Sequence, residues 1–243
     1  MDLRVFNLGL IDFKKALQFQ KETFQAIKNN YFNSALILCQ HYPVITMGRQ
    51  AKEENIKVSP LELRNRGIHM YEIERGGDVT YHGPGQLIAY PILNLSYLKK
   101  DIHLFLRQLE GLIIDFLSDL GIKGLRYKGL TGVWIDKSRP FLNNAYDSSE
   151  KGRDKQKIAS IGIAIRNWIT FHGMSINIKK DDLDNFSLIK PCGMDIEMTS
   201  LESVLRRDVE IDNIENNLIE KFRESYELRV MSYECKKPIT YNL

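Results

Sequence analysis

Residues 75–86 read Arg-Gly-Gly-Asp-Val-Thr-Tyr-His-Gly-Pro-Gly-Gln, four glycines and a proline within twelve positions. That density of turn formers excludes a simple helix or a central strand and demands tight bends at several points. Interleaved with them stand a fixed cation (Arg75), a hydroxyl (Thr80), a phenol (Tyr81), an imidazole (His82) and an amide (Gln86), the polar inventory of a binding site. Strand-like runs flank the segment at 70–73 and 87–92. A polar, glycine-rich turn held between apolar strands is a candidate ligand cradle. A long hairpin loop would explain the glycines, but not Arg75, Tyr81, His82 and Gln86 together.

The chain has 243 residues and no Pro/Ser/Gly-rich linker, so a single domain over 1–243 is expected. Lys and Arg number 34 against 31 Asp and Glu, a balance that makes no case for nucleic acid as partner. Cys39, Cys192 and Cys235 are widely spaced and form no CxxC pair, which argues against a disulfide scaffold or a cysteine metal site and fits a reducing cytosol. The first residues carry no basic-then-apolar leader, and no apolar run is long enough to span a bilayer. The expectation is a cytoplasmic protein without membrane association.

Along the chain, 3–8 reads as a strand, and Asp12 caps a helix to about Asn29 with Phe13, Ala16, Leu17, Phe24 and Ile27 on its apolar face. Residues 34–39 form a buried strand, with 44–47 expected as its hairpin partner after Pro43. Asp101 caps an amphipathic helix through Leu104, Phe105, Leu109, Leu112, Ile113, Phe116 and Leu120, stopped at Gly121. Residues 131–135 are strand-like, 136–156 are polar and read as an exposed mobile loop, and strands follow at 157–166 and 168–178 across a tight turn. Helices are expected near 200–206 and 212–227. Short strands joined by hairpins, with a few helices on one face, make an α+β fold around a mostly antiparallel sheet.

Cys192 lies between Pro191 and Gly193, at a sharp bend from which a nucleophile can project. Cys39 belongs to an apolar strand and Cys235 to a polar tail. A free thiol near pKa ~8.5 is only a few per cent thiolate at neutral pH, so a neighbouring cation is needed to activate it. Lys157, at the start of a strand of small residues, and His172, beside Gly173, are the candidate suppliers. An exposed lysine and a satisfied core histidine are the plainer readings of each.

The residues Arg75-Gly76-Gly77-x-x-Thr80-Tyr81-His82-Gly83-x-Gly85-Gln86, Lys157-Ile158-Ala159-Ser160-Ile161-Gly162, Phe171-His172-Gly173 and Pro191-Cys192-Gly193 occur in this order. Together they closely resemble the octanoyltransferases of lipoate biosynthesis, over roughly residues 34–205. Met47-Gly48-Arg49 and Glu54-Asn55-Ile56 add to the likeness, whereas the stretch 137–156 is longer than the family usually has. The resemblance implies a fold like that of biotin and lipoate protein ligase catalytic domains. It implies transfer of octanoyl from acyl carrier protein to a lysine of a lipoyl domain, whether of 2-oxoacid dehydrogenases or of the glycine cleavage H protein, with no cofactor and no metal. By that similarity Cys192 carries the acyl group as a thioester and Lys157 tunes it. Arg75, Gly76, Gly77, Asp78, Val79, Thr80, Tyr81, His82, Ser160, Ile161, Gly162, Phe171, His172 and Gly173 would line the substrate site. An ATP-dependent lipoate or biotin ligase on the same fold, and a non-catalytic module that binds acylated carriers, are the alternatives. Cys192 speaks against the ligase, because adenylate chemistry needs no thiol.

Overall fold

The structure is a computed structural model; it describes residues 3–142 and 154–234, at 192 and 228–234 by the main chain alone. The chain opens with β1 (Arg4–Ile11), α1 (Phe13–Lys28) and β2 (Ser34–His41), and β1 and β2 pair in parallel, so α1 is the crossover. Asp12 starts the helix by accepting the N–H groups of Lys14 and Lys15 at 2.9 and 3.2 Å. The buried face runs Phe13, Ala16, Gln20, Thr23, Ile27, with Leu17 and Phe24 beside it packed partly buried against the same core.

The expected hairpin between 34–39 and 44–47 does not form. The chain bends at Tyr42-Pro43, and β3 (Val44–Met47) becomes the middle of a separate sheet, because Pro43 has no N–H with which to extend a ladder. After α2 (Pro60–Asn65), β4 (His69–Glu72) pairs with β3 in parallel and β5 (Val79–His82) pairs with it antiparallel. The twelve-residue segment is therefore not wholly loop: its middle is an edge strand, and the bends fall on either side, at Gly77 and Gly85, both with φ of 84°.

The chain then returns to the large sheet as β6 (Gln86–Leu93), followed by α3 (Ile102–Asp119), β7 (Leu125–Tyr127), β8 (Leu130–Asp136), β9 (Lys155–Arg166), β10 (Ile169–Asn177), β11 (Glu197–Met198), α4 (Leu201–Leu205) and α5 (Ile211–Glu234). The sheet order is β1-β2-β6-β10-β9-β8-β7, with β11 on β9, and β1–β2 and β9–β11 are the parallel pairs in it. Asn167 and Trp168 join β9 to β10 with φ of 51° and 61°, the geometry of a two-residue hairpin. Asp101 caps α3 through Leu104 N–H at 2.9 Å, and Gly121 closes it with φ of 76°. Of the stretch expected as a mobile loop, 137–142 fold back on the end of α3, where Pro140 O accepts Lys123 N–H and Gly121 O accepts Leu142 N–H. Residues 143–153 lie outside the described residues, as does Cys235.

Alternation across the central strands divides the core. Leu36, Leu38, Leu87, Ala89, Met174 and Ile176 pack with α3 and α5. Ile37, Cys39, Ile88, Tyr90 and Phe171 form the second cluster, with Ile27 of α1. The small sheet closes over a third core of Ile45, Leu63, Tyr81, Phe186 and Leu188. Burial pushes the Cys39 thiol up, so it is an inert core residue.

The β6–β10 ladder stops at Ala89↔Met174, short of Pro91. Beyond it, the Thr170 hydroxyl donates to Pro91 O at 2.5 Å and accepts Leu93 N–H at 2.8 Å, and His172 takes φ of 61°. A Cβ on Gly173 would fall inside contact distance of Ala89 O, with Pro91 Cδ at 2.7 Å. Gly173→Ala is expected to part the two central strands and cost about 3 kcal/mol, read as a lowered urea midpoint.

Candidate active site

A cavity of about 620 Å³ opens between the two sheets. Its walls come from the segment leaving β4, from β9 and β10, from Trp134 on β8, and from Pro191 and Met194.

Arg75 closes one end. Its guanidinium is buried and donates from Nε and Nη2 to Thr46 Oγ1 at 3.2 and 3.0 Å, from Nη2 to Thr46 O at 2.6 Å, and from Nη1 to Gly76 O at 3.1 Å. Gly76 N–H then donates to Ile163 O of β9 at 2.8 Å. Side chains are excluded around this knot: a Cβ on Gly48 would stand 2.8 Å from Arg75 Nη1, and one on Gly162 3.0 Å from Arg75 Cδ. Gly76, Gly77, Ser160, Ile161 and Gly162 all line the cavity, as do Val79 and Thr80.

Asp78 ties this wall to the turn that carries Cys192. Its carboxylate accepts Val79 N–H at 2.7 Å, Lys52 N–H at 3.3 Å and the Asn55 amide at 2.5 Å. The main-chain oxygen of Asn55 accepts Lys190 N–H at 2.7 Å. Lys190 leads into the 3-10 turn Pro191–Gly193, where Gly193 has φ of 66°. The sequence singled out Asn55 only within a motif; its burial and its main-chain bond to the residue leading into the Pro191–Gly193 turn give it a part here.

Two expected site residues point elsewhere. Alternation along β5 turns Tyr81 into the third core, where its hydroxyl donates to Asp182 Oδ2 at 2.5 Å and accepts from Asn185 at 3.0 Å. Burial and the Asp182 charge push that phenol up. Phe171 lies on the helix side of β10, edge-on to Phe24 of α1. Neither lines the cavity, whereas His82, His172 and Gly173 do.

His82 and His172 are both held neutral. Burial, then the nearby His41, takes His82 down to about 3. Burial, then Arg75, Arg49 and Lys21, takes His172 down to about 3. His82 Nδ1 meets Gln86 Oε1, an acceptor, at 2.5 Å, so the proton sits on Nδ1 and Nε2 is left as the accepting nitrogen. The expectation that His172 supplies a cation fails on this point. Deeper in, His41 joins Tyr90 Oη at 2.7 Å and Ile11 O at 3.0 Å.

Lys157 is delivered by a register break. Val133 faces Ala159, but Trp134 faces Lys157, so β9 carries an extra residue at this point. The lysine is buried, its Nζ 5.2 Å from the centroid of the Trp134 ring. Gly132, with φ of 122°, leaves room for it: a Cβ there would lie 2.7 Å from Lys157 Cε and 2.5 Å from Ala159 O. Trp134 and Gly132 carried no mark of a site in the sequence. Among the described residues there is no cluster of three metal-ligating side chains, and no helix is long and apolar enough to cross a membrane.

The chain that builds this glycine-walled cavity has known relatives in sequence and in fold. The model of the lipoyl protein ligase A/B catalytic domain matches residues 12–223. The octanoyltransferase of Clostridium kluyveri is 42% identical over 214 residues, 86% of this chain and 83% of that protein. That of Caldicellulosiruptor saccharolyticus is 40% identical over 217 residues, 88% and 84% of the two. Among solved structures, the bipartite lipoate protein ligase of Thermoplasma acidophilum superposes with a TM-score of 0.69 at 18% identity, covering 93% of this chain and 84% of that one, a likeness of fold. The chain belongs to the lipoyl protein ligase A/B catalytic domain family. It is an enzyme of that family, of the transferase kind.

Because His172 is neutral when folded but takes a proton near pH ~6.5 when unfolded, stability is full above that pH and is lost as pH falls toward 3. The loss attributable to this residue at pH 5 is about 2 kcal/mol. Denaturant melts at pH 7 and 5 should show a correspondingly smaller drop for His172→Asn, which tolerates the left-handed backbone.

Proposed function

We propose that the chain moves an octanoyl group from the thioester of an acyl carrier protein onto Cys192, and from there onto a lysine of a lipoyl domain. The observation that supports this reading most is the single cavity that brings Lys157 together with the main-chain turn of Cys192 and an apolar wall of Leu130, Trp134, Ile161 and Ile163. The name octanoyltransferase, carried by relatives covering most of the chain, points to the same acyl group. Lipoyl domains are the acceptors that the family's chemistry implies; acyl carrier protein as donor follows from the resemblance in the motifs.

The thiolate of Cys192 attacks the donor carbonyl, and the tetrahedral intermediate collapses with loss of the carrier thiolate, which takes a proton from Lys157. The incoming lysine amine then attacks the enzyme thioester, Lys157 Nζ accepts its proton, and Cys192 leaves as thiolate with an amide formed. The first exchange trades one thioester for another and the second ends in a more stable amide, so ATP is not needed. Cys192 and Lys157 titrate as one coupled pair in this scheme. His82 and His172, being neutral, add polar contacts without a second positive charge beside the lysine. Burying the six methylenes and the methyl of the acyl chain contributes about 6 kcal/mol at ~0.8 kcal/mol per carbon, enough to hold the chain in place before any contact with the carrier.

Intact mass spectrometry after incubation with octanoyl-carrier protein, without ATP, tests this. One octanoyl adduct is expected, mapping to Cys192, discharged by a lipoyl domain, and missing from Cys192→Ala. Lys157→Ala should lower the transfer rate by about two orders of magnitude or more. Transfer of free octanoate that requires ATP and leaves no adduct would instead identify the ligase reaction.

A further inference from the structure

Behind the cavity, on α3, one carboxylate is unaccounted for by the chemistry above. Glu110 is 2% exposed at its side chain, on a helix face otherwise made of Leu109, Leu112, Ile113 and Phe116. A buried carboxylate is costly unless it is paired and hydrogen-bonded. Oε2 takes Arg107 Nη1 at 2.7 Å and Arg126 Nε at 3.3 Å. Both arginines are half exposed and could be paired as well by a carboxylate at the surface. What burial adds is the other oxygen: Oε1 accepts the main-chain N–H of Gly132 at 3.1 Å.

Gly132 lies where β8 carries extra residues against β7, between the pairs Tyr127↔Leu130 and Leu125↔Trp134, and next to the slip at Val133/Trp134 where β9 carries its own extra residue. A bulge takes main-chain groups out of the ladder, and they need another partner when buried. Glu110 is that partner for the Gly132 N–H. The bare Cα of Gly132 in turn is the surface on which the end of Lys157 rests, 2.7 Å from Cε and 3.4 Å from Nζ measured from where a Cβ would be. Carboxylate, bulge and lysine form one contiguous chain of contacts running from the helix layer to the cavity.

We propose that Glu110 is a positioning residue for Lys157: through the N–H of Gly132 it holds the bulge that sets where Nζ stands in the cavity. The role rests on the reading of Lys157 as the proton-moving group. It does not involve contact between Glu110 and substrate.

The test compares Glu110→Ala, Glu110→Gln and wild type with two readouts. One is kcat and KM for octanoyl transfer between carrier protein and lipoyl domain. The other is the rate and pH dependence with which acetic anhydride labels Lys157, read by peptide mass spectrometry against the exposed Lys28. Glu110→Gln keeps an oxygen that can accept from Gly132 and loses the charge; Glu110→Ala loses both. Displacing a catalytic group by a fraction of an ångström to an ångström costs up to about a hundredfold, so Glu110→Ala should lose roughly ten- to a hundredfold in kcat with KM for the carrier within about twofold. Its Lys157 labelling profile should shift while Lys28 is unchanged, and Glu110→Gln should recover most of both. If labelling shifts but transfer does not, Glu110 positions Lys157 as proposed and it is the catalytic assignment of Lys157 that fails. If transfer falls while labelling stays as in wild type, or neither changes, the proposal is overturned. Should the alanine variant not fold, Glu110→Met keeps the volume without an acceptor. If that too unfolds while Glu110→Gln folds, Glu110 serves stability alone and the proposal is equally overturned.

Discussion

The architecture turns on one buried cation. Arg75 leaves the edge of the small sheet and places its guanidinium against Thr46 of that sheet, while its own peptide neighbour bonds to Ile163 of the large one. A charge taken out of water is tolerated only where fixed oxygens surround it. The geometry that supplies them leaves no room for side chains at Gly48 or Gly162. Gly48 and Gly162, from two distant segments, are thus the means by which the two sheets close on an arginine. The cavity is the space left beside that closure.

The same charge sets the electrostatics of the site. Burial is the larger cause of neutrality in His82 and His172, and Arg75 reinforces it in both. In the proposed reaction, a second cation beside Lys157 would disfavour its ammonium form and with it the pairing of lysine and thiolate. With the imidazoles neutral, the proposed reaction assigns proton movement to Lys157. The ring of Trp134 faces that ammonium, its centroid 5.2 Å from Nζ.

Much of this was legible in the residues and some was not. Helical spacing after Asp12 and Asp101, and the unbroken apolar runs at 34–39 and 87–92, mark elements that the structure contains, because hydrophobic periodicity is a local property. Partnership is not local: Val44–Met47 reads as the natural hairpin mate of its neighbour and instead centres another sheet after Pro43. Motifs name residues without naming the face they occupy, so Tyr81 and Phe171, each adjacent to cavity-lining histidines, point into separate cores by the two-residue period of a strand. Gly132, Trp134 and Glu110 were invisible as a group, and Asn55 showed only as part of a short motif. Each is ordinary in its own segment and gains meaning only where a register slip or a main-chain bond brings it to Lys157 or to the turn of Cys192.

The account stands or falls on whether Lys157 and Cys192 share one chamber. Treating the folded protein with succinimidyl iodoacetate, which joins an amine to a thiol through a two-carbon bridge, and sequencing the peptides by mass spectrometry tests this without reference to activity. A peptide pair joined Lys157 to Cys192, suppressed by prior loading with octanoyl thioester, is the predicted product. Cys192 joined instead to other lysines, with Lys157 unlinked, would contradict the account.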